Sequence, residues 1–204
     1  FQITALSVII IVVAGAMAAY PLARKASRKN QIILTFIVGV MMVPQLSILV
    51  PLYKEMVTLK GINKLWGIVI VSATFHLPMA IYMYSNFIRS IPKELDEAAK
   101  IDGCSYAGIF GRIMLPLIKP ALVTACIFSF MWRWDDFLSA LLYVSKSGMY
   151  PVSLALKLFC DPGSSSDYGA MFAMATLSIL PSILIFLFFQ KYLVEGISTS
   201  GLKG

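Results

Sequence analysis

Histidine occurs once in this 204-residue chain and cysteine three times, at Cys104, Cys126 and Cys160. A single histidine excludes His-based metal clusters, and three scattered cysteines suggest neither a disulfide framework nor a metal site. Charge is scarce as well. Only 13% of residues are Asp, Glu, Lys or Arg, against 59% hydrophobic, whereas a soluble domain carries about a quarter charged. Acids are the rarer sign, with 10 against 17 bases. In a membrane protein such an excess of positive charge belongs to cytoplasmic loops and not to nucleic-acid contacts. No GxxxxGK[ST] loop is present, so the chain does not hydrolyse ATP itself. No internal repeat stands out at periods of about 20 residues or more.

Apolar runs of membrane length are abundant. A helix needs about twenty apolar residues to cross a bilayer. The first run extends from Ile3 to Leu22. It lacks the basic leader of a signal peptide and is too long for its apolar region. The second, Ile32 to Tyr53, is interrupted at Pro44 and Pro51, and membrane helices tolerate prolines when neighbours satisfy the freed carbonyls. The third is Leu65 to Ile88, the fourth leaves Leu117–Pro120 toward Tyr143, and the fifth is Ala170 to Phe189, broken at Pro181. The predicted fold is therefore an all-α polytopic membrane protein, one transmembrane domain over 1–204 with five visible spans. Because the chain opens at Phe1 inside an apolar run, a further segment is expected before it.

Loop charge sets the expected orientation. Arg24, Lys25, Arg28 and Lys29 follow the first span with no acid among them, and Arg89, Lys93, Lys100, Arg112 and Lys119 follow the third. The positive-inside rule places residues 23–30, 89–116 and 191–204 in the cytoplasm, and 54–64 and 145–169 outside. Lys54, Lys60 and Lys64 with only Glu55 argue mildly the other way.

Ionisable groups inside spans are functional candidates by default. His76 lies two residues before Pro78 in the third span. Without an acidic partner it makes a poor proton relay, and a neutral histidine bonded to a neighbouring helix near the kink is the simpler reading. Trp132-Arg133-Trp134-Asp135-Asp136 falls in the outer part of the fourth span. Arg133 and Asp136, three apart, can pair on a helix. The tryptophans fit an interfacial belt. They fit equally a polar and aromatic wall of a solute path, since sugars stack on aromatic faces and bond to charged groups.

The most charged interval lies between the third and fourth spans, with seven charges from Lys93 to Arg112. Locally it reads as two short helices around a turn. Pro92 suits a first helical turn, and Glu94, Asp96 and Glu97 favour the positive end of that helix. Leu95, Ala98 and Ala99 share a face by their i, i+3, i+4 spacing, and two alanines there let another backbone come close. Asp102-Gly103 stops the helix, with glycine in the left-handed position. Ser105 can cap a second helix toward Arg112, which Leu115-Pro116 then breaks.

The string Glu97-Ala98-Ala99, three residues, Gly103, nine residues, Ile113, one residue, Leu115-Pro116 resembles the EAA loop of ATP-binding-cassette importer permeases at every position. Met42-Val43-Pro44 with Pro51-Leu52-Tyr53, Trp134-Asp135-Asp136-Phe137 (where a tryptophan followed by Asn-Asp-Phe is usual), Tyr150-Pro151-Val152 and the ending from Gln190 to Gly204 resemble the maltose-type carbohydrate branch. The resemblance implies a non-catalytic, multi-pass subunit of a prokaryotic cytoplasmic (inner) membrane, with six spans in the complete form. It implies that loop 92–116 docks as a coupling helix on an ATPase through Glu97, Ala98, Ala99, Asp102, Gly103, Ile113, Leu115 and Pro116. It implies a heterodimer with a second permease, two ATPase subunits that hold ATP and Mg, an external solute-binding protein, and half a path for a carbohydrate, by preference an oligosaccharide. No cofactor is expected on this chain. A secondary transporter using His76, Arg133, Asp135 and Asp136, a permease for a non-sugar solute, and a membrane scaffold remain the alternatives from sequence.

Overall fold

The computed structural model describes residues 1–25, 27–156 and 167–201, with side chains described through Tyr192. Every regular element among them is helical. α1 (Gln2–Arg24), α4 (Leu65–Ser90) and the membrane-length part of α11 (Tyr168–Gly201) are each long and apolar enough to cross a bilayer alone. Two further spans exist only as bent pairs. α2 (Arg28–Val40) and α3 (Gln45–Thr58) meet at 97°, and the segment Tyr106–Leu117 meets α8 (Lys119–Trp134) at 73°. The five expected spans are thus three continuous helices and two bent pairs.

The break between α2 and α3 falls at Pro44, one of the two interruptions expected in the span from Ile32 to Tyr53, whereas the other, at Pro51, does not occur. Pro44 disfavours helical geometry at Val43, and the chain tightens beforehand through three short bonds, Met41 N to Val38 O, Met42 N to Gly39 O and Val43 N to Val40 O, each 3.1 Å. Pro44 itself is extended and starts α3. Pro21, Pro51, Pro78 and Pro181 stay inside their helices. The expected break of the last span at Pro181 does not occur, and its helix continues through Gly201 into the expected cytoplasmic tail. The fourth span also ends sooner than expected. α8 stops at Trp134, and α9 (Leu138–Tyr143) is a separate short helix.

The chain divides into two compact units, residues 1–9, 44–75 and 127–188, and residues 10–43, 76–126 and 189–204. In the first, Met56, Ile68, Val71, Ala140, Tyr143 and Leu154 form a buried cluster. Lipid tails are as apolar as leucine, so burial against protein gains little over burial in lipid, and polar ties carry more of the specificity. Asn63 supplies such a tie. Its φ of 57° points it into the left-handed region, its backbone N–H donates to Tyr143 O at 2.9 Å, and its Oδ1 accepts from Ser145 N at 2.7 Å and Lys146 N at 3.1 Å. The turn after α3 is thereby stapled to the end of α9. α10 (Val152–Ala155) follows at Pro151, and residues 157–166 of the expected external loop lie outside the described residues.

The same unit contains a contact only glycine permits. A β-carbon on Gly67 would lie 2.2 Å from the Gly61 carbonyl oxygen, a backbone atom that cannot step aside. Gly67→Ala is expected to lower stability by about 1–3 kcal/mol through forced backbone movement, read as a lower melting temperature in detergent. Gly39→Ala, at a site with nothing within 4 Å, is expected to leave it unchanged or raise it. Equal melting of the two variants would contradict the packing. In the second unit, α1 and α4 approach through a small residue. A β-carbon on Gly15 would stand 3.1 Å from the Tyr84 ring and 3.3 Å from the Ala80 methyl.

Candidate functional site: the charged loop and the outer cluster

The charged loop folds as two short helices, as its residues predict. α5 runs Glu94–Ile101 with Glu94, Asp96 and Glu97 in its first turn, where carboxylates oppose the helix dipole. Pro92 precedes the helix and does not form its first turn, since Lys93 is the N-cap. The C-terminus is a Schellman closure: Gly103 N donates to Lys100 O at 3.0 Å and Cys104 N to Ala99 O at 2.9 Å, with Gly103 at φ 80°. Ser105 then caps α6 (Tyr106–Ile109) by accepting from Gly108 N at 3.2 Å. The helix does not break at Leu115-Pro116. It widens into a π turn over Phe110–Met114, continues as α7 (Leu115–Leu117) with Pro116 inside it, and turns only at Ile118.

The two faces of α5 differ from the expected pattern. Asp96 and Ala99 are buried against the rest of the chain, while Leu95, Glu97, Ala98 and Ile101 are exposed. Ala99 therefore packs inward and does not share an outer face with Ala98. Ile101 is 87% exposed and Tyr106 71%. Glu97 and Ala98 thus stand on an outward surface flanked by apolar side chains. Of the other expected docking residues, Asp102, Gly103 and Pro116 are exposed, and Ile113 and Leu115 are half-buried.

Asp96 is the residue that sequence reading passed over. It is 6% exposed and pairs with Arg24 at the end of α1, Nε to Oδ2 at 2.9 Å, each side chain only 9% exposed. Arg24 also donates through Nη1 to Ile91 O at 2.8 Å and through Nη2 to Pro92 O at 3.4 Å. Tyr20 donates to Asp96 Oδ2 at 3.4 Å, and its ring lies 5.4 Å from that of Phe110. One arginine counted only as a loop charge thereby holds both the carboxylate of α5 and the carbonyls just before it. The signal was available only as composition, because the partners are 72 positions apart in sequence.

The outer cluster is partly brought together. Arg133, 3% exposed, pairs with Asp136, and Asp136 Oδ1 accepts from Ser139 N at 3.0 Å to start α9. Ser153 Oγ donates to Asp136 O at 3.2 Å, and Trp134 Nε1 donates to Ser178 O at 2.9 Å while its ring stacks on Phe130 at 5.4 Å. Arg133, Trp134 and Asp136 therefore secure the end of α8. Trp132 and Asp135 are exposed, Trp132 stacked on Phe128 at 5.7 Å. His76 is half-buried within α4.

The chain matches the family model described as "Binding-protein-dependent transport system inner membrane component" over residues 11–199. It is 34% identical over 203 residues to the melibiose/raffinose/stachyose import permease protein MelC of Bacillus subtilis (strain 168), covering 99% of this chain and 73% of that protein. It is 33% identical over 201 residues to the trehalose transport system permease protein SugB of Mycobacterium tuberculosis (strain CDC 1551 / Oshkosh), covering 98% and 73%. Among solved structures, a bacterial ABC transporter involved in the import of the acidic polysaccharide alginate superposes with a TM-score of 0.78 at 23% identity, over 93% of this chain and 71% of that one, and so shares its fold. A gradient-driven transporter and a passive scaffold, both open from sequence alone, do not describe permeases of this kind. The chain belongs to the binding-protein-dependent inner membrane components, the permease subunits of ATP-binding-cassette importers.

Proposed function

We propose that this chain forms half of the translocation path for a neutral oligosaccharide and is driven by ATPase subunits docked on residues 92–116. The observation that carries the coupling reading is the outward surface of α5. Glu97 and Ala98 are exposed there beside Ile101 and Tyr106, on a helix pinned from behind by the Arg24–Asp96 pair. A bare apolar and acidic face on a pinned helix suits a protein partner. The partners expected are a second permease, two ATPases carrying ATP and Mg, and an extracytoplasmic binding protein. The sugar reading rests on the relatives, named for melibiose, raffinose and stachyose and for trehalose. Neutrality is favoured over an acidic saccharide because Asp136 already answers the Arg133 charge.

The test is uptake of labelled raffinose into proteoliposomes that hold the full complex, with binding protein outside and ATP inside. ATP-dependent uptake is expected. Uptake driven by an ion gradient without ATP would overturn the proposal.

Within the outer cluster, the exposure of Trp132 and Asp135 supports a contact with solute. Trp132→Ala is expected to lower uptake about two- to tenfold with assembly intact, since stacking of this kind is worth roughly 0.5–1.5 kcal/mol per aromatic partner, and Asp135→Asn is expected to lower uptake as well. Arg133→Ala is expected instead to destabilise the subunit by about 3 kcal/mol, the cost of leaving a buried charge unpaired. Both are checked by uptake beside detergent melting curves. Wild-type uptake in the first two variants would make the cluster an anchor only.

A further inference from the structure

An open groove of about 680 Å³ lies between the last turns of α1 and the charged loop, its lining including Met17, Pro21, Lys25, Lys93, Glu97 and Lys100. Its charge is uneven. Four cations face two carboxylates, and Arg24 and Asp96 satisfy one another. Lys25, Lys93 and Lys100 are exposed and, among the described residues, form no ion pair, although Lys100 lies 5.1 Å from the Tyr106 ring. Against Glu97 these three leave an excess of two positive charges. Its apolar side is equally one-ended. Met17 is 61% exposed and stands seven residues before Arg24 on the same helix, about 10 Å further into the span. Pro21 and Phe110 also line the groove.

We infer that this groove seats an anionic phospholipid, with its phosphate against Lys25, Lys93 and Lys100 and the start of an acyl chain along Pro21 and Met17. Basic pockets at the cytoplasmic ends of membrane helices suit anionic headgroups, and each lysine near the surface contributes about 1 kcal/mol of attraction. The depth of the groove decides between a lipid and a protein. A water-soluble ATPase reaches the exposed Ala98 and Glu97, the latter also lining the groove, but not the apolar wall at Met17, about two turns further into the span. A lipid presents charge and chain in the order in which the groove offers lysine and methionine. The occupant would press on the face of the loop opposite Ala98, so lipid composition would bear on how firmly α5 is held. This rests on the cytoplasmic placement of loop 92–116, but its readout is binding and does not depend on transport.

The experiment is native mass spectrometry of the purified transporter complex titrated with dioleoyl phosphatidylglycerol or dioleoyl phosphatidylcholine. The expected result is one phosphatidylglycerol retained in preference to phosphatidylcholine. Lys25→Gln/Lys93→Gln/Lys100→Gln should weaken that site about a hundredfold, three lysine contributions taken together. Lys54→Gln/Lys60→Gln/Lys64→Gln, with the same charge change in the opposite loop, should leave it intact. Met17→Gln should weaken retention of the long-chain lipid while keeping the headgroup preference. Equal loss in both triple variants would reduce the effect to net charge and overturn the site, as would equal retention of the two lipids. The seat would be a protein's if ATPase assembly, and not phosphatidylglycerol, shielded Lys25 and Lys93 from amine-reactive labelling.

Discussion

Glu97→Ala and Ala98→Leu are expected to insert into the membrane normally and yet lose most coupled transport, with uptake down at least tenfold. The two substitutions attack one surface in different ways. Glu97 is exposed, and among the described residues it forms no ion pair, so its removal leaves no buried group unsatisfied within the subunit. It does remove a charge available to a basic residue of a docked ATPase, and truncating one side of a desolvated pair costs about 2–5 kcal/mol of association. Ala98 is also exposed, so leucine adds volume without meeting the subunit's own core. It interferes only if another backbone must approach closely, where overpacking costs about 1–3 kcal/mol. Gly103→Val adds a third mode. No atom lies within 4 Å of a β-carbon there, so its effect comes from the φ of 80°, which costs a β-branched side chain of order 1–2 kcal/mol and loosens the Schellman closure behind α5. Co-purification of the ATPase with each variant, beside ATPase and uptake assays in liposomes, checks all three. Normal assembly and coupling in every variant would remove the docking role from this loop.

The sequence allowed those residues to be named because the controlling interactions are local. The acids of the first turn, Gly103 and Ser105 each act on neighbours within four positions, so helix, turn and cap could be read in order. The proline breaks show where local reading stops. Pro44, Pro78 and Pro181 offer the same missing N–H, yet only Pro44 ends a helix. What differs is whether the surrounding helix can reroute the freed carbonyl and avoid the ring, and that depends on packing and not on the proline itself. Length misled in the fourth span for a related reason. Twenty apolar residues predict a crossing, but Asp136 turns its carboxylate to Ser139 N and Arg133 and so starts a new helix within the run. The face of α5 was ambiguous because Asp96 and Glu97 are adjacent acids at the same helix end. Only the position of Arg24 decides which of them turns inward.

That inward acid gives the other large effect. Arg24→Ala is expected to destabilise the subunit by about 3–5 kcal/mol, since it strands a buried carboxylate and releases the carbonyls of Ile91 and Pro92. Asp96→Asn should cost less, because an amide retains a partner for Tyr20 and leaves no buried negative charge, although the Arg24 charge then loses its answer. Replacing both with neutral residues of similar volume, Arg24→Met with Asp96→Leu, should recover part of the loss, as buried ion pairs generally do when exchanged whole for apolar groups. The melting temperature of the double variant should therefore exceed that of Arg24→Ala. Function should not recover with it. The pair is directional: the guanidinium holds α5 and the two carbonyls before it in one orientation, and methionine against leucine does not. In the double variant ATP hydrolysis is expected to continue while uptake per ATP falls, because a docked ATPase would then move α5 without moving the end of α1. The alternative is a pair that only adds stability. In that case the double variant would transport in proportion to its restored folding, and uptake per ATP would stay at the wild-type value.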